Sequence, residues 1–168
     1  MKAMTKFCFS AFVAVFLLGT SARGMADEDI CVHGQSAQSQ TPHAAPTYYG
    51  WGFTLAQPSH DGNYWLHYSI PTHSGKSLKA IKVKFSTGAN GYIDTIHIWD
   101  SDVPKVELEH LRLRGSETRI VPLNPEQPFT SVGISIKVKA DPGADARVQI
   151  SSVCGIFVVS DPASLPPQ

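Results

Sequence analysis

Residues 131–140 read SVGISIKVKA, and their parity sets the fold class. Val132, Ile134, Ile136 and Val138 fall on one side of the alternation, Ser135, Lys137 and Lys139 on the other. Apolar residues at every second position describe a strand with one dry face and one wet face. The same period continues on both sides of this stretch. LKAIKVKFS places Ile81, Val83 and Phe85 against Lys82 and Lys84, and RVQISSVC aligns Val148 and Ile150 with Ser152 and Cys154. YYGWGFTL stacks Tyr49, Trp51, Phe53 and Leu55, with Gly50 and Gly52 opposite. Further strands are expected over Tyr64–Ile70, Ile93–Trp99, Val106–Leu113 and Thr118–Leu123, with a short one at Ile30–His33.

Turn-forming clusters separate these runs: PSHDGN, PTHSGK, TGANG, DSDVP, LNPEQP and DPGAD. Pro71 and Gly75 mark one such turn, with His73 solvated at its tip, and Gly34 after His33 marks a backbone turn or bulge. No helical periodicity of useful length intervenes. Eight or nine short strands at this spacing predict an all-β antiparallel sandwich, Greek-key or jelly-roll-like. VELEHLRLRG breaks the rule, because Val106 and Leu108 lie on one parity and Leu111 and Leu113 on the other. A β-bulge near His110 would restore a single inward face; otherwise the strand is buried on both sides.

The ends read differently. Lys2 and Lys6 precede the apolar run FCFSAFVAVFLLG, and small residues follow at Gly24–Ala26. This is the pattern of a secretory signal over residues 1–26, cleaved after Ala26 or after Ala22, and too short for a membrane span. Residues 27–46 form a polar N-terminal segment, 47–159 the sandwich domain, and 160–168 a Pro-rich flexible tail. At 168 residues the chain has room for one domain with appendages. Removing Lys2, Lys6 and Arg23 from the 14 basic residues leaves 11 against 14 acidic ones, a formal charge of −3. A nucleic-acid binder needs a basic footprint, so that class is disfavoured.

Cleavage also removes Cys8, leaving Cys31 and Cys154 near the two ends of the mature chain. An even cysteine count in an exported protein predicts a disulfide. Closing so long a loop contributes about 4–5 kcal/mol in the chain-entropy treatment. The expected location is secreted or periplasmic.

Four stretches together carry a resemblance: VHGQS at residues 32–36, WLHYSIPT at 65–72, IHIWD at 96–100 and VGISI at 132–136. They resemble a bacterial family of small proteins of unknown function with the patterns V-H-G-x-S, W-x-H-x-x-I-P-T, I-H-V-x-D and G-V-G-I-S-I. The likeness runs from Ile30 to Phe157. This chain departs from the pattern at Ser101, where the family often has glycine after the aspartate, and its members need not be exported. The resemblance implies a fold style and no activity.

Candidate function follows from side-chain parity. On Tyr64–Ile70, Tyr64, Leu66, Tyr68 and Ile70 form the richer apolar set, which points Trp65 and His67 outward. On Ile93–Trp99, Ile96 and Ile98 point inward, which turns His97 and Trp99 outward. W-x-H and H-x-W are mirror images. As antiparallel neighbours the two strands would oppose Trp65 to Trp99 and His67 to His97; a meander would make them parallel and one strand apart.

Three readings of this group stay open. Outward tryptophans flanked by polar groups stack on sugar rings, giving a non-catalytic module for a glycan or another surface ligand. His67 and His97 with Asp100 are a donor set for zinc or copper. The third is a structural or assembly role, through an exposed sheet edge that pairs with a partner chain. Against all three stands an inverted parity, which would make the rings core residues with His67 and His97 as its hydrogen-bonded edges. Lys82 and Lys84, with Lys76, Lys79, Lys137 and Lys139, would form one positive face for an anionic ligand if their strands shared a sheet. No G-x-S-x-G, H-E-x-x-H or Gly-rich phosphate loop is present, no carboxylate pair stands out, and the histidine spacing is not that of a cupin. Neither an enzyme nor a cofactor is expected.

Overall fold

A computed structural model describes residues 27–40, 46–59, 62, 64–72 and 75–159, without the side chains at 125 and 127. The stretch read as a secretory signal, residues 160–168 and His73 lie outside the described residues. Eleven strands are present among them: β1 Glu28–His33, β2 Gln38–Ser39, β3 Thr47–Tyr49, β4 Phe53–Ala56, β5 Tyr64–Ile70, β6 Lys76–Thr87, β7 Gly91–Asp100, β8 Val103–Leu108, β9 Ser116–Pro128, β10 Val132–Ala140 and β11 Val148–Val159. No described helix is long and apolar enough to cross a membrane.

The strands form two antiparallel sheets. One runs β3-β4-β11-β6-β9, with β1 also paired to β11, and the other runs β2-β5-β10-β7-β8. Strands β4 to β11 alone make the eight-stranded double-sheet jelly roll, β4-β11-β6-β9 facing β5-β10-β7-β8. The inward set of β10 predicted from its parity is the observed one: Val132, Ile134, Ile136 and Val138 are all buried. They meet Leu66, Tyr68, Ile96 and Ile98 of their own sheet and Ile81, Val83, Phe85 and Phe157 of the other in a single core.

Period two is kept along the chain by three one-residue bulges. Lys79 on β6, Asp94 on β7 and Ser151 on β11 have no partner in the adjoining ladder. Each sits inside an apolar-x-x-apolar run, Leu78 to Ile81, Ile93 to Ile96 and Ile150 to Val153, and all six flanking residues are buried. An extra residue shifts strand parity by one and returns the next apolar side chain to the core. The bulge at Ser151 corrects the expected alignment of Val148 and Ile150 with Ser152 and Cys154: Val153 fills the core and Cys154 faces Cys31 directly across β1.

The disulfide Cys31–Cys154 is formed and spans 123 residues of sequence. It joins a cross-strand pair, so residues 27–40 are strand and turn rather than loop alone. Gly34 packs so closely that a Cβ there would lie 1.8 Å from the Ile150 carbonyl oxygen. Thr54 Oγ1 donates a hydrogen bond to the Gly34 carbonyl at 2.5 Å. The glycine of VHGQS is therefore a close-approach glycine.

Three more expectations are corrected. YYGWGFTL is not one strand but a hairpin: the Gly52 N–H donates to the Tyr49 carbonyl at 2.9 Å, and Tyr49 pairs with Phe53. The reason is Gly52, whose φ of 102° turns the chain where a strand would continue. LNPEQP is not a turn; it lies within edge strand β9, where residues 123–126 have no partner on β6. An edge tolerates Pro122 and Pro128 because their missing N–H groups need not join a second ladder. Finally, β8 stops at Leu108. His110 and Arg112 adopt φ of 56° and 49°, and this left-handed break lets Leu111 and Leu113 both pack on the core. The irregularity expected near His110 is there, and it ends the strand.

Candidate functional site

The outer face of the β2-β5-β10-β7-β8 sheet carries the predicted residues. β10 lies between β5 and β7, which therefore run parallel to each other, one strand apart. Ser135 sits opposite both His67 and His97, Lys137 opposite Trp65 and Thr95, and Gly133 opposite Ser69 and Trp99. Direct opposition of Trp65 to Trp99 does not occur. The rings meet nonetheless, because Gly133 and Ser135 are small and leave a trough along the middle strand.

Trp65 stacks on His67 with centroids 6.3 Å apart and reaches across to His97 at 5.2 Å. His97 in turn meets Trp99 edge-on at 6.0 Å. Both indoles are half-buried, so each keeps part of its surface in solvent. With Gln40 and Ser135 these four rings line a recess of about 290 Å³. Lys137 places its ammonium 5.5 Å above the Trp65 ring, a cation–π distance.

The polar atoms of the recess differ in their state. His67 Nδ1 and Ser135 Oγ are hydrogen-bonded at 2.8 Å. Burial of the His67 ring holds its pKa below the ordinary imidazole value of 6.5, so the ring is neutral at neutral pH. His97 Nε2 and Trp99 Nε1 are buried and make no hydrogen bond within the protein. Glu109 Oε1 stands 3.9 Å from His97 Nε2, too far for a hydrogen bond. Unsatisfied buried polar atoms are rare in folded proteins, and two beside one recess mark it as a place for a polar partner.

Asp100 serves the adjoining turn instead. Its Oδ1 accepts from the backbone N–H groups of Thr130 and Ser131 at 2.9 and 3.2 Å. Among the described residues no three His, Cys, Asp or Glu side chains are grouped to hold a metal ion. The lysines do not form one face either. Lys82 and Lys84 lie on the other sheet from Trp65, where Lys82 pairs with Asp29, Lys76 with Glu28 and Lys79 with Asp27. Lys137 and Lys139 approach the buried Asp94 at 3.7 and 3.1 Å. Parity placed each lysine outward; only strand order could say that the two groups stand on opposite sides of the molecule. Gln40 and Glu109 carried no sequence signal, since one follows a two-residue strand and the other sits at a strand break.

No family model matches this chain, and no curated protein does. Solved structures of similar shape exist. One is the C-terminal family 6 carbohydrate-binding module of a laminarinase from Zobellia galactanivorans, at 9% identity and TM-score 0.48, covering 77% of this chain and 99% of that one. A family 29 carbohydrate-binding module gives 11% identity and TM-score 0.48, over 78% and 89%. A family 36 module of a xylanase from a Trinervitermes trinervoides hindgut metagenome gives 11% and 0.49, over 76% and 96%. At this distance the likeness is one of sandwich shape, and the class of the protein rests on its own strand pairing: an all-β jelly roll with one disulfide.

Proposed function

We propose that the protein is an exported, non-catalytic binding module that takes a glycan into the recess between Trp65 and Trp99. The observation that carries this reading is the pairing of two half-exposed indoles with two unpartnered polar atoms, His97 Nε2 and the Trp99 Nε1 donor, at one recess. Sugars match that combination, because a pyranose offers an apolar C–H face to an indole and hydroxyl acceptors around its rim. Neutral His67, held by Ser135, adds orientation without charge.

The resemblance supports the same place. Of its four motifs, three contribute Trp65 and His67, His97, and Gly133 and Ser135, and these converge on one sheet face. The fourth contributes Gly34, whose role is packing. Secretion or periplasmic residence fits the N-terminal segment and the disulfide.

The test is a glycan array followed by titration calorimetry on the best binder. Trp65→Ala or Trp99→Ala is expected to weaken binding at least tenfold, with the thermal midpoint little changed. An array silent for the wild-type protein, or variants that bind as it does, would end this reading. Elemental analysis of untagged protein separates the zinc or copper alternative, and the expected result is no stoichiometric metal.

A further inference from the structure

We infer that the opposite sheet carries a second, independent binding surface, built on the β3–β4 hairpin, for a neutral hydroxylated polysaccharide chain. Trp51 at the hairpin tip is 79% exposed, an unusual state for tryptophan. It is nevertheless held in place: its ring lies 5.8 Å from Tyr49 and within 28° of parallel. Tyr49 is itself stacked 4.4 Å from Phe53, its cross-strand partner. Phe53 and Leu55 alternate with the fully buried Thr54 and Ala56, so the three rings stand on the outer side of the sheet, away from the core.

A mainly polar row, interrupted by Leu55, continues from these rings across the strands. Thr47 pairs with Leu55, Leu55 with Gln149 and Gln149 with Ser86, four side chains in a row on β3, β4, β11 and β6. Three strand spacings make the row about 14 Å long. It ends in a shallow hollow of about 90 Å³ lined by Leu55, Ser86, Thr87, Gly88, Arg147 and Gln149. The Gln149 amide and Ser151 hydroxyl lie 3.4 Å apart beside the aromatic end.

Charge selects the occupant. Arg147 is bound by both oxygens of Asp145 at 2.6 and 3.1 Å, and Lys82 by Asp29, leaving ring faces, amide and hydroxyls as the main offer, with Lys84 at the border. That balance suits an extended neutral chain whose rings stack on Trp51 and whose hydroxyls bond to Gln149 and Ser86. An acidic peptide or an anionic headgroup would need unpaired cations along the row.

The experiment uses the mature full chain in affinity gels cast with neutral glucans, mannans, xylans and galactans, with intrinsic fluorescence read in parallel. Three proteins are compared: wild type, Trp51→Ala, and the double variant Trp65→Ala/Trp99→Ala, in which Trp51 is the remaining indole. The expected result is retardation of wild type by at least one gel and at least a tenfold loss of affinity in Trp51→Ala at unchanged thermal midpoint. The double variant is expected to keep binding, with Trp51 emission altered by the polysaccharide. Trp51→Ala behaving as wild type on every gel overturns the inference, as does absence of retardation in all gels. Should Trp51 emission shift on neutral phosphatidylcholine vesicles while no gel retards the protein, the hairpin is a membrane-interface anchor and the inference falls. Failure of the recess reading looks different: the double variant then matches wild type on the glycan array as well as on every gel, whatever Trp51→Ala does.

Discussion

Ser101 shows how one residue can be read from both ends. It stands at φ 56°, the left-handed region where a Cβ is crowded and glycine is at ease. Ser101→Gly is expected to raise stability by about 0.5–1 kcal/mol, after discounting the extra freedom glycine has when unfolded. Chemical denaturation measures it, and a loss of stability would mean that the contact of Ser101 with Ser131 outweighs the strain. His67 makes a pH prediction. Its folded pKa is depressed by burial, so below 6.5 the unfolded chain binds the proton more readily than the folded one. Stability should be independent of this group above that pH and decline as pH falls from 6.5 toward the lower folded pKa. Denaturation at a series of pH values, compared with His67→Gln, checks this; identical slopes would rule out His67 as the source.

Among the elements, the bulges matter most. The runs Leu78-x-x-Ile81, Ile93-x-x-Ile96 and Ile150-x-x-Val153 are legible as parity breaks, and the structure turns each into one extra polar residue. Deleting Ser151 should send Val153 and Phe157 to the solvent face and abolish cooperative folding, whereas Ser151→Ala should change stability by less than about 0.5 kcal/mol. Circular dichroism and thermal melts distinguish the two, and a well-folded deletion would refute the parity argument. The hairpin at Gly50–Gly52 was less legible. Its flanking rings alternate as in a strand, and only the positive φ at Gly52 turns that alternation back on itself.

For the whole molecule, the disulfide ties the first strand to the last. Cys31 and Cys154 face each other across β1 and β11, with Lys82 to Asp29 alongside. Replacing both cysteines by serine should lower stability by about 3–5 kcal/mol, the cost of freeing a loop of 123 residues in the unfolded chain. Equilibrium denaturation of the double variant measures it, and a change below about 1 kcal/mol would show that β1 is held by its ladder and ion pairs alone. The two candidate surfaces lie on opposite sheets, so loss of β1 should touch the Trp51 face before the Trp65 recess.

Period two, turn chemistry and cysteine count determined that this chain is a β-sandwich closed by one bridge, and that Trp65, His67, His97 and Trp99 face outward. Those are local facts, because alternation along one strand is fixed by backbone geometry and burial. Strand order is not local. Only the tertiary structure placed β10 between β5 and β7, separated Lys82 and Lys84 from Lys137 and Lys139, and spent Asp100 on a turn. The physical reason is that each strand presents two edges that many partners can satisfy equally, and the choice is made by packing of the whole core rather than by the residues of the edge itself.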